Sequence, residues 1–410
     1  MSRIFAFTLG VMSATGGFLD IGDLVTDAQV GARFGLGLAW VTVLSAIGIV
    51  CFADMAGRIA MRTRRPPMSV ARSRLGPRYG LATMLASVAI TGLLIMAEIS
   101  GVALAIELAT SVHYLLWIPV VGVFVLVLVW LTPFEAMERV YGIMGLTTAV
   151  FILAVWKLGP DWSQLWESAT TPVPPADESW AVYLFFLCAL IGAQMTPYES
   201  DFFGSGAVES RWRPKDKAEM RVNVFVGFPL GALIAIAIQA CAYLVFFEPG
   251  VHVEHLSQTT LPVAVALGKL GLVVAIVGVF AVTFGATLET LFAAGYDVSQ
   301  YFGWSYGKLQ KPVRASRFMT LIAILVVAAC ALALTTINPI TVTIVAVVIS
   351  GMLLPFMFVP LMLMANDRKV MGDLANGRLA NLVGSVMIGV CVLVSAAALP
   401  LLIITRGGSG

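Results

Sequence analysis

Charged residues are scarce in this chain. Only 12% of its 410 residues are Asp, Glu, Lys or Arg, whereas an average soluble domain carries about 25%. Hydrophobic residues make up 59% of the sequence, and its mean hydropathy is +0.94. This composition excludes an ordinary soluble domain and predicts an integral membrane protein.

The chain also lacks paired cysteines and the common catalytic motifs. Its five cysteines lie singly in apolar stretches with no Cys-x-x-Cys pair, which indicates neither a disulfide framework nor a thiolate metal site. It contains no P-loop, no His-Glu-x-x-His motif and no nucleophile–base pair. We therefore expect that the protein is not an enzyme and that it holds no cofactor.

What the chain has instead is a series of long apolar segments. A helix needs about 20 mainly apolar residues to cross a bilayer, and on that rule we predict eleven spans. In chain order, they are 4–32, 37–61, 79–110, 114–132, 137–158, 180–208, 222–248, 269–300, 315–335, 338–364 and 379–405.

The basic residues follow the loops between these spans. Of 25 Lys and Arg residues, 21 fall in alternate connections and flanks, most of them in 58–78 and 211–221. The positive-inside rule then places the N-terminus in the cytoplasm and the C-terminus outside a plasma or inner membrane. Topology accounts for the basic loops, so we expect lipid head groups and not nucleic acid as their partner.

Three carboxylates stand at membrane depth beside helix breakers. Asp20 and Asp23 flank Gly22 in span 1, and Glu199 follows Pro197 in span 6. An ionisable group at this depth costs at least ~2.5–3.5 kcal/mol, and such groups are usually functional. This pattern predicts a cation site formed by the two breaks.

Spans 1 and 6 share the same defect and begin two units of opposite topology. Interrupted helices at matching positions of two inverted halves mark the substrate sites of transporters. We predict an all-α membrane fold of the LeuT type, with a 5+5 inverted repeat and one extra helix. Its parts are a first repeat at 1–158, an extracellular loop at 159–179, a second repeat at 180–364, a last helix at 379–405 and a vector-like tail at 406–410.

Other buried polar residues have less specific interpretations. Asp54 lies one turn from Arg58 and is expected to form a structural pair with it. Glu98, deep in span 3, is equally consistent with a polar lining and with a structural anchor. Tyr198, Glu98 and Glu289 are predicted to line the ion path in a secondary role.

Several motifs resemble those of the NRAMP divalent-metal transporters. The run 17–31 resembles their first helix, whose motif is Asp-Pro-Gly-Asn followed by a Thr-Asp-Ile-Gln-x-Gly-like segment. Thr196-Pro197-Tyr198 resembles their Met-Pro-His motif in span 6. Further matches at 97–101, 354–356 and 367–372 keep the family order, so the resemblance covers essentially the whole chain.

The resemblance implies a ligand set and also a change in its chemistry. The family's Asp and Asn in helix 1, its Met thioether and its backbone carbonyl correspond to Asp20, Asp23, Thr196 and Ala193, and Glu199 is an addition. A thioether selects soft transition metals, whereas oxygen ligands suit Mg²⁺, Ca²⁺ and Mn²⁺. We therefore expect the NRAMP-related magnesium branch, with partly hydrated Mg²⁺ and also Mn²⁺ as transported ions.

Proton coupling is not expected. The family's proton-carrying His and Asp positions fall at Phe203 and Ile95, and neither side chain can carry a proton. The resemblance thus implies gradient-driven uptake by alternating access, in a protein taken to be a monomer. The alternatives are a proton-coupled Mn²⁺/Fe²⁺ importer, a sodium-coupled carrier of organic solutes and a membrane sensor that has lost transport.

Overall fold

A computed structural model describes residues 18–176, 178–335 and 338–408. Within these ranges all regular secondary structure is helical. Ten of the described helices are long and apolar enough to cross a membrane, so the chain is a multi-pass membrane protein. The N-terminal half of predicted span 1 lies outside the described residues, and the count of eleven spans stays a prediction.

The described helices follow the predicted spans closely. The second half of span 1 is Ile21–Phe34. Spans 2 to 11, in chain order, are Ala39–Thr63, Pro77–Thr110, Tyr114–Leu131, Phe134–Leu158, Trp180–Glu209, Pro214–Phe247, Leu256–Phe302, Ser316–Ala333, Pro339–Asn366 and Arg378–Ile404.

Three connecting segments predicted as loops are helical instead. They are Pro67–Leu75, Trp162–Thr170 and the first part of Leu256–Phe302. The last is divided from span 8 at Gly268, whose φ of 67° ends one helix before the next begins. Their shortness and mixed polarity hid these helices, because the rule used for the spans detects only membrane-length apolar runs.

Both predicted helix breaks are present. In span 1 the helical path is interrupted at Leu19 and Asp20 and resumes at Ile21. Span 6 is divided into Trp180–Gln194 and Pro197–Glu209. The second break has a clear cause, because proline has no N–H to continue the hydrogen-bond ladder.

Glycines let the broken helices pack closely against their neighbours. A Cβ atom placed on Gly31 of span 1 would lie 2.1 Å from the carbonyl oxygen of Gln239 in span 7. A Cβ on Gly192 of span 6 would lie 2.0 Å from the carbonyl oxygen of Val347 in span 10. Small residues at such interfaces allow backbone-to-backbone approach in membranes, and here they hold both breaks between spans 7 and 10.

The predicted structural pair between Asp54 and Arg58 is also present. The Arg58 Nε donates to Asp54 Oδ2 at 2.7 Å, and the other guanidinium nitrogens donate to the Leu374 carbonyl at 2.6 Å and to Asn376 Oδ1 at 2.8 Å. Both charged side chains are buried. The pair therefore ties span 2 to the segment that precedes span 11.

The close contact at Gly31 predicts a large effect of a single methyl group. Gly31→Ala is expected to lower the free energy of unfolding by about 1–3 kcal/mol, because a backbone carbonyl must move to admit the Cβ. Gly92→Ala is the matched control, since its Cβ would meet nothing within 4 Å. Thermal unfolding in detergent measures both, and equal melting temperatures for the two variants would contradict the packing described.

Candidate cation site at the two helix breaks

The two breaks and span 3 bring acidic side chains together in the interior. Asp20, Asp23 and Glu98 are completely buried, and Glu199 is 4% exposed. The negative charge of Asp20 lies close enough to Asp23 and Glu199 to repel the charges of both. Tyr198 Oη donates a hydrogen bond to Asp20 Oδ2 at 3.4 Å. The predicted candidates from spans 1, 3 and 6 thus lie around one buried region.

At the first break, Asp20 and Asp23 cap the helix that follows. Asp20 Oδ1 accepts from the Asp23 backbone N–H at 3.0 Å, and Asp23 Oδ2 accepts from the Asp20 N–H at 3.2 Å. This reciprocal capping box satisfies two of the backbone donors that a helix start leaves free. The helix N-terminus also stabilises the negative charge of both side chains.

Glu98 reaches the same helix start from span 3. Its Oε1 accepts from the Ile21 backbone N–H at 3.2 Å. This hydrogen bond makes Glu98 a structural anchor of the break, while its Oε2 is buried without a partner; its role in lining an ion path stays a prediction. An incoming anion finds few backbone donors here, since the side chains of the protein already occupy them.

At the second break, Thr196 and Glu199 lie on the first turn of the helix that begins at Pro197. Thr196 Oγ1 donates to Glu199 Oε1 at 3.0 Å. The carbonyl of Ala193 would pair with the N–H of residue 197 in a continuous helix, and Pro197 has none. Ala193 is completely buried, and the break leaves its carbonyl without the helical donor it would otherwise have.

The site carries unpaired oxygen atoms, and its carboxylates form no ion pair among the described residues. Asp23 Oδ1, Glu98 Oε2 and Glu199 Oε2 are buried without a hydrogen-bond partner. The ion pairs among the described residues involve none of these carboxylates. Buried charges are normally paired or bound to metal, and the orphaned atoms are all acceptors. The arrangement therefore suits a cation or a hydrogen-bond donor.

The described carboxylates do not form a closed metal cage. In the part of the chain that the structure describes, no three His, Cys, Asp or Glu side chains are grouped closely enough to hold an ion directly. The other candidate ligands at the second break are the hydroxyl oxygen of Thr196 and the carbonyl oxygen of Ala193. Such a mixed oxygen set suits an ion that keeps part of its water shell, as Mg²⁺ usually does.

The secondary candidates have separate surroundings. Glu289 of span 8 accepts a hydrogen bond from Tyr141 Oη at 3.0 Å. Its negative charge is near enough to repel that of Glu199. Ile95 is completely buried one turn before Glu98, whereas Phe203 is half-buried and packs edge-on against Trp212.

Sequence reasoning missed two buried polar networks. On the 211–221 side of the breaks, Asp201 and Asp297 are hydrogen-bonded to each other, and Ser87 Oγ donates to Asp297. On the other side, Asp27 is bonded to Gln194 and Gln239. The available signal was the presence of polar residues in apolar spans, but their pairing across distant spans could not be read from the chain.

Comparison with known proteins agrees with this fold. Residues 11–400 match the Nramp family, described as natural resistance-associated macrophage protein-like. The chain therefore belongs to the Nramp family, and the resemblance inferred from its motifs is confirmed. Proteins named divalent metal cation transporter MntH are similar to it, from Chromohalobacter salexigens (24% identity, 95% of this chain and 89% of the relative) and Bacillus subtilis (22%, 88% and 84%).

Solved structures show the same architecture. A manganese transporter from Eremococcus coleocola superimposes with a TM-score of 0.69 at 17% identity, over 96% of this chain and 87% of that one. A Na⁺-coupled sialic acid symporter gives a TM-score of 0.63 at 12% identity, over 97% and 89%. The fold is that of LeuT-type transporters, and since the relatives are transporters, the expectation that the protein is not an enzyme is confirmed.

The contact between Glu98 and Ile21 predicts different effects for two substitutions. Glu98→Leu leaves a buried N–H without an acceptor and is expected to lower the free energy of unfolding by about 1–3 kcal/mol. Glu98→Gln keeps an acceptor oxygen at the same place and should retain most of the stability. Thermal unfolding without added metal tests this, and an equal loss in both variants would show that the hydrogen bond is unimportant.

Proposed function

We propose that this protein imports a hard divalent cation, most readily Mg²⁺ and also Mn²⁺, by alternating access. The observation that supports the proposal best is the buried set of oxygen atoms at two matched helix breaks, with orphaned carboxylate oxygens that no basic residue in the described part of the chain pairs with. Membership of the Nramp family and the similarity to proteins named divalent metal cation transporter support a divalent metal as the transported ion.

In this proposal Asp20, Asp23 and Glu199 hold a partly hydrated ion, with some of these contacts made through its waters, because no three of the described carboxylates are grouped closely enough to bind it directly. Thr196 and the Ala193 carbonyl contact the ion or its water shell. The charge of the three carboxylates offsets the cost of bringing a divalent cation to membrane depth. Half-helix ends around a fixed site allow spans 1 and 6 to tilt and open alternately to the two sides of the membrane.

The proposed ligands are all oxygen atoms, which supports a preference for Mg²⁺. Thr196 occupies the position of the family's Met, so a hydroxyl oxygen replaces the thioether sulfur there. Its hydroxyl is held by Glu199 Oε1 at 3.0 Å. Carboxylate, hydroxyl and carbonyl oxygens suit Mg²⁺ and Mn²⁺, whereas thioether ligands favour softer metals.

Two apolar side chains support transport without proton coupling. Ile95 and Phe203 stand where the family carries titratable groups, and both pack against apolar or aromatic neighbours. Uptake would then be driven by the gradient and by the membrane potential, which supplies ~2.3 kcal/mol per charge per 100 mV and twice that for a divalent ion.

The second candidate is a proton-coupled Mn²⁺/Fe²⁺ importer with an unusual site. It is favoured by the structural similarity to a manganese transporter and by Glu98, a buried carboxylate with one free oxygen next to the break. Proton movement distinguishes it from the first candidate.

Removal of the site carboxylates tests the proposal. Asp20→Ala and Glu199→Ala are each expected to lower Mg²⁺ uptake into liposomes at least tenfold, because the ion loses charged ligands at membrane depth. A Mg²⁺-sensitive dye inside the liposomes measures the uptake under an inside-negative potential. Glu135→Ala, which removes an exposed acid, serves as the control and should transport normally.

The same liposomes report on proton coupling when a pH dye replaces the Mg²⁺ dye. Uptake of Mg²⁺ should leave the lumen pH unchanged. Unchanged Mg²⁺ uptake in both alanine variants would remove the proposed site, and acidification in proportion to Mg²⁺ flux would favour the proton-coupled importer.

A further inference from the structure

A closed ring of four hydrogen bonds joins spans 1, 2, 6 and 7 beside the helix breaks. Gln194 Nε2 donates to Asp27 Oδ1 and to Thr42 Oγ1, both at 3.1 Å. Gln239 Nε2 donates to the same two oxygens, at 2.7 and 2.8 Å. All four residues are completely buried. The ring therefore brings two acceptor oxygens and two amide groups around one small region.

The ring leaves acceptor atoms without partners. Asp27 Oδ2 and the side-chain oxygens of Gln194 and Gln239 are buried without a hydrogen bond, as is Oγ of Ser45, one turn beyond Thr42. Asp27 takes part in none of the ion pairs among the described residues. These four atoms are oxygens beside a buried acid, and buried charges are normally paired or bound to metal.

Asp54 shows how the same fold treats a structural acid. It is buried like Asp27, but Arg58 donates to it at 2.7 Å and supplies the opposite charge. Asp27 has two neutral amides in place of a guanidinium. Among the described residues, Asp27 therefore has no opposite charge beside it.

The dimensions of the ring fit an octahedral metal ion. A glutamine amide turned by 180° exchanges its NH₂ group for its oxygen. The ring would then consist of four oxygen atoms with neighbours 2.7 to 3.1 Å apart. Oxygens bound to Mg²⁺ at 2.0–2.1 Å in an octahedron lie about 2.9 Å from their neighbours. Rotation of two amides therefore converts the ring from a donor arrangement into a set of ligands of suitable spacing.

The ring lies one helical turn from the breaks. Asp27 follows Asp23 by four residues in the same helix, where its negative charge repels that of Asp23 and is itself repelled by that of Asp20. The helix continues toward the 159–179 segment, where the Leu36 backbone N–H donates to Ser168 Oγ at 2.9 Å. The ring is thus placed between that face of the molecule and the proposed cation site.

We propose that Asp27, Thr42, Gln194 and Gln239 form a second divalent-cation site, through which the ion passes between the 159–179 face and the breaks. This inference rests on the proposed function, because it needs a divalent cation as cargo. Asp27 provides the charge, and the two glutamines bind the ion by turning their carbonyl oxygens inward. The charges of Asp20 and Asp23, one turn away, attract the ion onward.

Binding of Mn²⁺ to variants of the full-length protein tests this site. The double variant Asp20→Asn with Glu199→Gln should bind Mn²⁺ at least tenfold more weakly than the wild type, with one residual site that Mg²⁺ displaces. Adding Asp27→Asn should weaken the residual site at least tenfold further. Electron paramagnetic resonance of free Mn²⁺ measures each titration, and Asp297→Asn in the double variant is the matched control that should leave residual binding unchanged.

A gain of affinity protects the test against misfolding. Gln239→Glu in the double variant adds a carboxylate to the ring and should tighten residual Mn²⁺ binding several-fold. Absence of a residual site, or a residual site that ignores both Asp27→Asn and Gln239→Glu, would overturn the inference, as would displacement of Mn²⁺ by millimolar Na⁺ alone. Failure of the proposed function gives a different result, namely wild-type Mn²⁺ affinity in the Asp20→Asn, Glu199→Gln double variant.

Discussion

The structure depends on holding several carboxylates at membrane depth without basic partners among the described residues. Removing charge from water is costly, and the chain offsets the cost with backbone donors at broken helices. The N–H groups of Ile21 and Asp23 bind Glu98 and Asp20, so the break in span 1 stabilises acids before any ion arrives. The close glycine contacts at Gly31 and Gly192 keep these breaks in place against spans 7 and 10.

Much of this arrangement was predictable from the sequence, for physical reasons. Lipid demands long apolar helices, so hydropathy located spans 2 to 11. Acidic residues next to helix breakers located both interruptions. Ionisable residues are rare at membrane depth, so their presence beside Gly22 and Pro197 indicated a break in each helix. The pairing of Asp54 with Arg58 followed from their spacing of one turn, and it is present at 2.7 Å.

Other features could not be predicted from one chain. The contact of Glu98 with Ile21 and the ring around Asp27 join residues 77 to 212 positions apart, and no periodicity encodes such pairs. Short amphipathic segments such as Trp162–Thr170 were missed because they do not span a bilayer. The sequence bears on the choice of ion only indirectly, because Thr196 replaces the thioether ligand of the family. Membership of the Nramp family supports a divalent metal as cargo without choosing among the metals.

We propose that a buried site of oxygen ligands selects a hard divalent cation in this protein. Calorimetric titration of the purified protein with Mg²⁺, Mn²⁺, Ca²⁺ and Cd²⁺ tests this selectivity. We predict saturable binding of Mg²⁺ and Mn²⁺, with Cd²⁺ bound no more tightly than Mn²⁺, because Thr196 replaces the family's thioether ligand. Strong Cd²⁺ binding together with no detectable Mg²⁺ binding would rule out this selectivity and favour a transition-metal site.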